Sequence, residues 1–214
     1  MITLLSVGYD KIGRFYLFSD NSKYYSVTTM LSATGDKTGI DNWRRKLGPR
    51  KADIAQKKAS RLGNDFHLLG EHWLLGKSLP SVTTTPTKVF QNTLPILQEN
   101  IDDVIAVEQP LKTDKYKLAG RVDAVVIWNG KLAILDFKLL NNSSRTWLDD
   151  YWLQTTIYAR AWYEMFDEQP LRCILVIGNK KTHEAIYYQG KPKLWINRVN
   201  KRVEQFHELQ RKGL

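Results

Sequence analysis

The stretch GRVDAVVIWNGKLAILDFKLL, residues 120–140, consists of two apolar runs separated by Asn129 and Gly130. Asn-Gly between two such runs is the strongest short-range sequence signal for a two-residue β-hairpin. We therefore predict antiparallel strands over residues 117–128 and 131–140. Pairing the residues symmetrically about this turn sets Asp123 opposite Asp136.

The second predicted strand carries charges inside an apolar run. Because strand side chains alternate between faces, Asp136 and Lys138 project from one face and the intervening Phe137 from the other. Two aspartates held close in an apolar sheet repel each other and lose hydration unless a cation lies between them. The hairpin therefore predicts a cation site, and the alternative is a buried Asp–Lys salt bridge with Asp123 capping a turn.

The chemistry of this cation site follows from its ligands. Carboxylate oxygens suit Mg²⁺ or Mn²⁺, which keep several waters and bind phosphate oxygens. Such an ion polarises a phosphodiester, and a nearby lysine orients water or stabilises charge on the phosphate. The residues therefore favour phosphodiester hydrolysis.

The composition fits one globular domain. The chain has 214 residues, of which 43% are hydrophobic and 25% charged, as is typical of globular proteins. No window approaches the roughly 18 consecutive apolar residues of a membrane span, and the N-terminus lacks the pattern of a signal peptide. We expect a cytoplasmic protein that does not enter a membrane. The single cysteine, Cys173, excludes an intramolecular disulfide and a multi-cysteine metal site, and we expect it to be buried in a strand.

The charge balance indicates a polyanionic partner. Lys and Arg number 32 against 22 Asp and Glu, which gives a net charge of +10. Residues 44–61 and 191–212 hold most of the excess. Such surfaces attract nucleic acid, although a basic helix face can also be merely solvated.

Hydrophobic periodicity predicts an α/β fold with a mixed central sheet flanked by helices. Gly63 interrupts the longest predicted helix, so we expect a kink or a close backbone approach there. We expect a loop over residues 79–87. The predicted strands span residues 3–7, 14–18, 24–27, 104–109, 117–128, 131–140, 171–178 and 185–188, and the predicted helices span residues 28–32, 39–47, 49–75, 89–99, 148–166 and 193–211.

Four short motifs occur in a specific order along the chain: GNDFH (63–67), GRVD (120–123), LDFK (135–138) and QTTIY (154–158). This order resembles the RecB-like branch of the PD-(D/E)XK nuclease superfamily. The segment YSVTTMLS (25–32), followed by Trp43, is similar to the mitochondrial genome maintenance exonucleases and their phage and bacterial relatives. The resemblance covers residues 25–173. It implies a restriction-endonuclease-like core over residues 40–190, with an N-terminal β appendage (1–30) and a basic C-terminal helix (191–214) in a single nuclease domain.

The resemblance also implies roles for individual residues. It makes His67, Asp123, Asp136 and the Phe137 carbonyl the ligands of Mg²⁺ or Mn²⁺, and Lys138 the catalytic lysine. Gln154 and Tyr158 would support the site and the substrate phosphates. Glu108 is a further acidic member or a strand-edge charge. We expect Glu71 to be structural, and Tyr151 and Trp152 to pack within their helix.

The resemblance implies a metal-dependent DNA exonuclease of replication, repair or recombination, acting on single-stranded DNA or flaps with a free end. A single cysteine excludes relatives that carry a four-cysteine iron–sulfur cluster. The sequence also lacks the helicase portions of RecB, so we expect a stand-alone nuclease. We expect it in a bacterial or phage-infected cell rather than as a processed mitochondrial form. A non-catalytic DNA-binding or assembly module and a structure-specific endonuclease are the alternatives. Polarity, processivity, DNA-versus-RNA preference, oligomeric state and protein partners stay open. Nucleic-acid contacts are predicted for Trp43, Arg44, Arg45, Arg50, Lys51, Lys57, Lys58, Arg61, Arg121 and Trp147.

Overall fold

A computed structural model describes residues 3–141 and 148–213 of the chain. One mixed eight-stranded sheet carries helices on both faces, which confirms the predicted α/β class with a mixed, helix-flanked sheet. The elements in chain order are β1 (Leu4–Tyr9), β2 (Arg14–Phe18), β3 (Lys23–Ser26), α1 (Val27–Thr34), α2 (Thr38–Leu47), α3 (Pro49–Leu74), α4 (Thr84–Asn100), β4 (Ile101–Thr113), β5 (Leu118–Trp128), β6 (Lys131–Leu140), α5 (Asp149–Phe166), β7 (Arg172–Asn179), β8 (Ala185–Gly190), a 3₁₀ turn (Pro192–Leu194) and α6 (Ile196–Arg211).

The predicted hairpin is confirmed. Strands β5 and β6 pair antiparallel from Ala124 opposite Leu135 down to the turn. Asn129 and Gly130 have φ angles of 47° and 71°. Positive φ at both central residues is what a type I′ turn requires, and its twist matches that of the flanking strands.

The neighbours of β5 change along its length. β4 pairs with β5 from one end to the other, so β3 and β6 must share the opposite side. There β3 pairs in parallel with Leu118 and Ala119, whereas β6 pairs only with residues 124–128. In the described pairing, residues 120–123 therefore have no partner strand on this side, and the sheet forks around them.

The same pairing alters the predicted N-terminal appendage. Strands β1, β2 and β3 form the expected antiparallel unit, with Phe15 opposite Tyr25 for example. However, Tyr25 of β3 also lies opposite Leu118 of β5, so the unit extends the central sheet rather than standing apart from it. This long-range pairing brings the N-terminal strands to the fork.

The two faces of the β5–β6 hairpin are covered by different helices. Phe137 packs with Phe66 of α3 and Phe90 of α4 in one buried cluster. On the opposite face, Ile134 packs with Ile157 of α5 in a second cluster, together with α1 and α6. Because side chains alternate along β6, Asp136 and Lys138 belong to the α5 face, as predicted.

The kink or close backbone approach expected at Gly63 of α3 is not found there. The helix runs without a break through Gly63, and apart from its chain neighbours and the adjacent helix backbone no described atom lies within 4 Å of where a Cβ would stand there. The close approach occurs instead at Gly70, where a Cβ would lie 2.6 Å from the ring of Phe137. Spacing alone cannot distinguish the two positions, because the contact is made by a residue on a distant strand.

Helix α4 is longer than predicted. It begins at Thr84, inside the stretch expected to be a loop, and includes Pro86 in its first turn. Proline is tolerated there because first-turn N–H groups have no partner within the helix.

Cys173 is a buried free thiol in β7, as expected. Among the described helices, none combines the length and apolarity needed to cross a membrane.

Candidate active site

The fork in the sheet places two charged segments side by side. Asp123 lies at the end of the part of β5 that has no partner on the β6 side, where its Oδ2 accepts a 2.8 Å hydrogen bond from the backbone N–H of Phe137. Next along β6, the Lys138 Nζ lies 2.5 Å from Asp136 Oδ2. Both aspartates and the lysine therefore lie where the hairpin strands separate.

Asp136 is the most buried acid of this group, with 1% of its surface exposed. Its Oδ1 accepts a 3.2 Å hydrogen bond from Gln154 of α5, whereas its buried Oδ2 has no hydrogen bond within the described chain beyond the Lys138 ion pair. Burial raises the pKa of Asp136 to about 6, with a further contribution from Asp123 and an opposing one from Lys138. Ionised Asp136 is therefore costly in this setting.

His67 reaches the same point from α3. Its Nδ1 lies 3.1 Å from Asp123 Oδ2. Burial alone would lower the pKa of His67, but the Asp123 carboxylate outweighs it and raises the pKa. Conversely, burial would raise the pKa of Asp123, but the charges of His67 and Lys138 lower it. Each of these two groups therefore favours the charged form of the other.

Helix α5 supplies two polar groups on one face. Gln154 contacts Asp136, and Tyr158 lies four residues later against Gly120 of the GRVD motif. A Cβ at Gly120 would lie 2.5 Å from the Tyr158 hydroxyl oxygen, so only glycine leaves room for this ring. Burial raises the pKa of Tyr158, which keeps its phenol neutral.

Glu108 has an unusual backbone. Its φ is 52°, a left-handed conformation that is uncommon for a non-glycine residue in a strand. Its side chain lies 3.7 Å from the Arg121 guanidinium, and burial together with the charge of Asp123 raises its pKa. Such backbone strain is concentrated at functional sites in proteins. This favours the role of Glu108 as an acidic member of the site over that of a strand-edge charge.

A cleft of about 690 Å³ joins these groups. Most of the residues predicted for the site line it, while Asp136 lies buried behind Lys138. Predicted residues in the lining are His67, Glu108, Arg121, Asp123, Lys138, Gln154 and Tyr158, and residues that the sequence did not assign to the site are Val7, Arg14, Tyr16, Thr28, Asn64, Leu68, Glu71 and Tyr151.

Two of these lining residues were expected to have structural roles. Glu71 lines the cleft one turn after His67. Tyr151 packs against a buried cluster, as expected, and the centre of its ring also lies 5.1 Å from Lys138 Nζ. Trp152, by contrast, is buried and stacks on Trp195, as expected.

The predicted nucleic-acid residues of α2 and the first half of α3 do not line this cleft. We call this segment, residues 38–61, the basic arm. Helix α2 has no buried residue, and Trp43 is 39% exposed. Arg44 is partly neutralised by a 2.6 Å ion pair with Asp53. Trp147 lies outside the described residues. The basic arm exposes Trp43, Arg45, Arg50, Lys51, Lys57, Lys58 and Arg61, whereas Arg44 is half-buried.

The residues at the fork have the donor chemistry of a site for a hard divalent cation. Two carboxylates and the Phe137 carbonyl are oxygen ligands of the kind that suit Mg²⁺ or Mn²⁺, and the His67 imidazole adds a nitrogen ligand. A cation would also relieve the cost of the buried Asp136 carboxylate. Within the part of the chain that the structure describes, however, no three His, Cys, Asp or Glu side chains are already arranged around a common point as a metal site. Lys138 Nζ, which lies 2.5 Å from Asp136 Oδ2, balances part of the acidic charge at the fork.

Comparisons with known proteins add little to this picture. No protein-family model and no curated protein matches the chain. Among solved structures, a crystal structure of SSO0001 matches 56% of this chain and 56% of its own chain, with 16% sequence identity and a TM-score of 0.34. The chain therefore spans little more than half the length of that structure, and the likeness is too low to establish a shared fold.

Proposed function

We propose that this protein is a metal-dependent DNA exonuclease with a PD-(D/E)XK core of the RecB-like kind. It would hydrolyse phosphodiester bonds in single-stranded DNA or flaps with a free end, during replication, repair or recombination. The observation that carries the proposal is the convergence of His67, Asp123, Asp136 and Lys138 at one fork of the sheet, beside Gln154 and Tyr158. These residues come from four motifs spread over about half of the chain.

The cation would be Mg²⁺ or Mn²⁺, held by His67, Asp123, Asp136 and the Phe137 carbonyl. When bound, such an ion polarises the phosphodiester and lowers the pKa of a water molecule. The raised pKa of Asp136 means that its carboxylate has an energetic reason to accept a cation.

Lys138 acts through its charge. Burial would lower the pKa of Lys138, but the Asp136 and Asp123 carboxylates outweigh it and raise the pKa. The ammonium group therefore stays protonated and serves to orient water or to stabilise charge on the phosphate, rather than to accept a proton. Tyr151 lies against the same ammonium group and restricts where it can point.

The two polar residues of α5 position the acidic groups. Gln154 donates to Asp136 and so orients its carboxylate. Tyr158 fills the space beside Gly120 and keeps its proton, which leaves its hydroxyl able to donate a hydrogen bond. These contacts hold the acid and the lysine to a narrow range of positions, as catalysis by orientation requires.

The basic arm supports a polyanionic substrate. Its exposed lysines and arginines lie on α2 and on the first half of α3, the helix that also carries His67. A strand that follows these charges along α3 is led toward the cleft. The free end and the single-stranded form of the substrate are implied by the resemblance alone.

One observation favours a second candidate, a DNA-binding module without catalysis. The Asp136–Lys138 ion pair balances the buried charge without a metal, and the described side chains form no ready-made group of three metal ligands. A nuclease fold retained only for binding would have the same basic surface. The two candidates differ in whether a divalent cation produces cleavage.

The deciding experiment uses end-labelled single-stranded DNA with Mg²⁺ or Mn²⁺, compared with EDTA. We expect metal-dependent products from the wild type and a loss of about 10²–10³-fold for Lys138→Ala, because a preorganised charge at the phosphate is removed. Lys131→Ala is the matched control, since Lys131 is exposed at the other end of the same strand. Lys138→Gln keeps a polar partner for Asp136 and gives a second measurement if the alanine variant unfolds.

The outcomes separate the candidates. Binding of the oligonucleotide without metal-dependent products would exclude the enzyme and favour the binding module. Covalently closed single-stranded circles test for the endonuclease, because an enzyme that needs a free end leaves them intact.

A further inference from the structure

A second hollow adjoins the cleft on the side of the N-terminal strands. Its volume is about 570 Å³, and its lining includes Tyr9, Ile12 and Lys37. It shares Arg14 and Thr28 with the cleft. The two hollows therefore meet at these two residues.

Arg14 lies at the boundary between the hollows in a defined position. Its Nη2 donates a 3.0 Å hydrogen bond to the Thr28 hydroxyl, and its backbone N–H donates to the Thr29 hydroxyl over 3.1 Å. Its guanidinium lies 5.7 Å from the centre of the Tyr16 ring. Among the described residues, Arg14 forms no ion pair with a carboxylate, in contrast to Arg121, which faces Glu108. A positioned guanidinium with unbalanced charge is suited to bind a phosphate.

The second hollow adds the other groups that recognise a single strand. Tyr9, at the end of β1, is 76% exposed, and Lys37 is exposed just before α2. The exposed ring of Tyr9 offers a face on which a base can stack. Lys37 can contact the phosphate backbone of a nucleic acid whatever its base sequence.

We propose that a single-stranded polynucleotide runs from the cleft across Arg14 and Thr28 into the second hollow. Arg14 binds a phosphate next to the cleaved bond or one nucleotide further on, and Tyr9 stacks on a base beyond it. This rests on the proposed function, because the cleft is taken as the place of cleavage. The N-terminal strands are thereby a binding surface for the strand.

The test compares long and short substrates. On a single strand of about 20 nucleotides, we expect Arg14→Gln to raise KM about tenfold with kcat little changed, because one charge-assisted phosphate contact is lost. Tyr9→Ala should raise KM about tenfold as well, because one base loses its stacking partner. On a dinucleotide, which cannot extend into the second hollow, both variants should equal the wild type. Arg172→Gln is the matched control, since Arg172 lines neither hollow.

Uncharged phosphate analogues identify the phosphate that Arg14 binds. In a series of oligonucleotides, each with one methylphosphonate at a different position, the kcat/KM of the wild type should fall about tenfold when the phosphate that Arg14 binds is replaced. Arg14→Gln should lose nothing further at that position. If every methylphosphonate lowers kcat/KM by the same factor in Arg14→Gln as in the wild type, the assignment of a phosphate to Arg14 is overturned.

The outcomes distinguish this inference from the proposed function. If the wild type cleaves none of the substrates, both fail. If it cleaves normally while Arg14→Gln and Tyr9→Ala behave like Arg172→Gln, or lose as much on the dinucleotide, only the inference is overturned. Tyr9 is 76% exposed, so its replacement should cost little stability and the Tyr9→Ala result decides even if Arg14→Gln is unstable.

Discussion

The same substitution at two glycines of one helix should have opposite effects. Gly63 and Gly70 both lie inside α3, seven residues apart. At Gly63 an added methyl group would have no described neighbour within 4 Å, whereas at Gly70 it would lie 2.6, 2.9 and 3.0 Å from three atoms of the Phe137 ring. That ring is buried and packs edge-on against Phe66, so it cannot move without moving its neighbours.

The expected magnitudes follow from two contributions. Replacing glycine by alanine within a helix stabilises it by about 1 kcal/mol at either position. At Gly70, forcing a methyl group into a packed core costs about 1–3 kcal/mol, which cancels or exceeds that gain. Gly63→Ala should therefore raise the free energy of unfolding by about 1 kcal/mol, and Gly70→Ala should lower it by up to about 2 kcal/mol.

Urea unfolding followed by circular dichroism measures both variants, with the wild type as the reference. A change of 1 kcal/mol corresponds to roughly 2–4 °C in Tm for a chain of this size, so thermal unfolding gives a second measurement. Phe137 lies between Asp136 and Lys138, so Gly70→Ala should also lower cleavage by about 10–100-fold through misplacement of these groups. Equal shifts of the same sign in the two variants would refute the packing of Phe137 against α3.

Three further predictions concern the site and its strands. Gly120→Ala places a methyl group 2.5 Å from the Tyr158 hydroxyl oxygen, so it should cost about 1–3 kcal/mol in urea unfolding and reduce cleavage; a variant with unchanged stability and activity would contradict the fit of Tyr158 against the GRVD motif. Burial raises the pKa of Asp136 from 3.8 to about 6, so in EDTA the folded state holds this proton more tightly than the unfolded state, and the resulting stability is lost as pH rises through about 6. The stability of the wild type relative to Asp136→Asn should therefore fall between pH 4 and pH 7, and a constant difference would show that Asp136 is not buried as described. Cys173 is fully buried and its pKa is raised to about 12, so a thiol reagent at pH 8 should label it only after denaturation; rapid labelling of the native protein would contradict its place in the sheet.

Local regularities in the sequence account for the elements that were predicted well. The β5–β6 hairpin depends on Asn129, Gly130 and an alternation that adjacent residues maintain, so residues 120–140 contain all that is needed. The same holds for α3, whose predicted and observed bounds differ by one residue at its end. Local conformation is decided by neighbouring residues, and these are visible in the sequence.

Long-range pairing accounts for what was missed. The parallel pairing of Tyr25 with Leu118 joins segments about ninety residues apart, and no local pattern announces it. It brings Arg14 and Thr28 to the cleft. Arg14 and Tyr16 share a face because side chains alternate along a strand, but only the long-range pairing decides that this face lines the cleft.

The charged residues of ILDFKLL (134–140) separate most clearly what the local sequence decides from what the tertiary structure decides. The sequence by itself determined that Asp136 and Lys138 share a face and that Asp123 lies across the hairpin, because strand geometry alternates and a two-residue turn sets the register. Only the tertiary structure decided that α5 buries Asp136, that His67 reaches Asp123 from α3, and that the strands part at this point. Burial and charge proximity set pKa values, and both depend on packing summed over the whole chain rather than on neighbours along it.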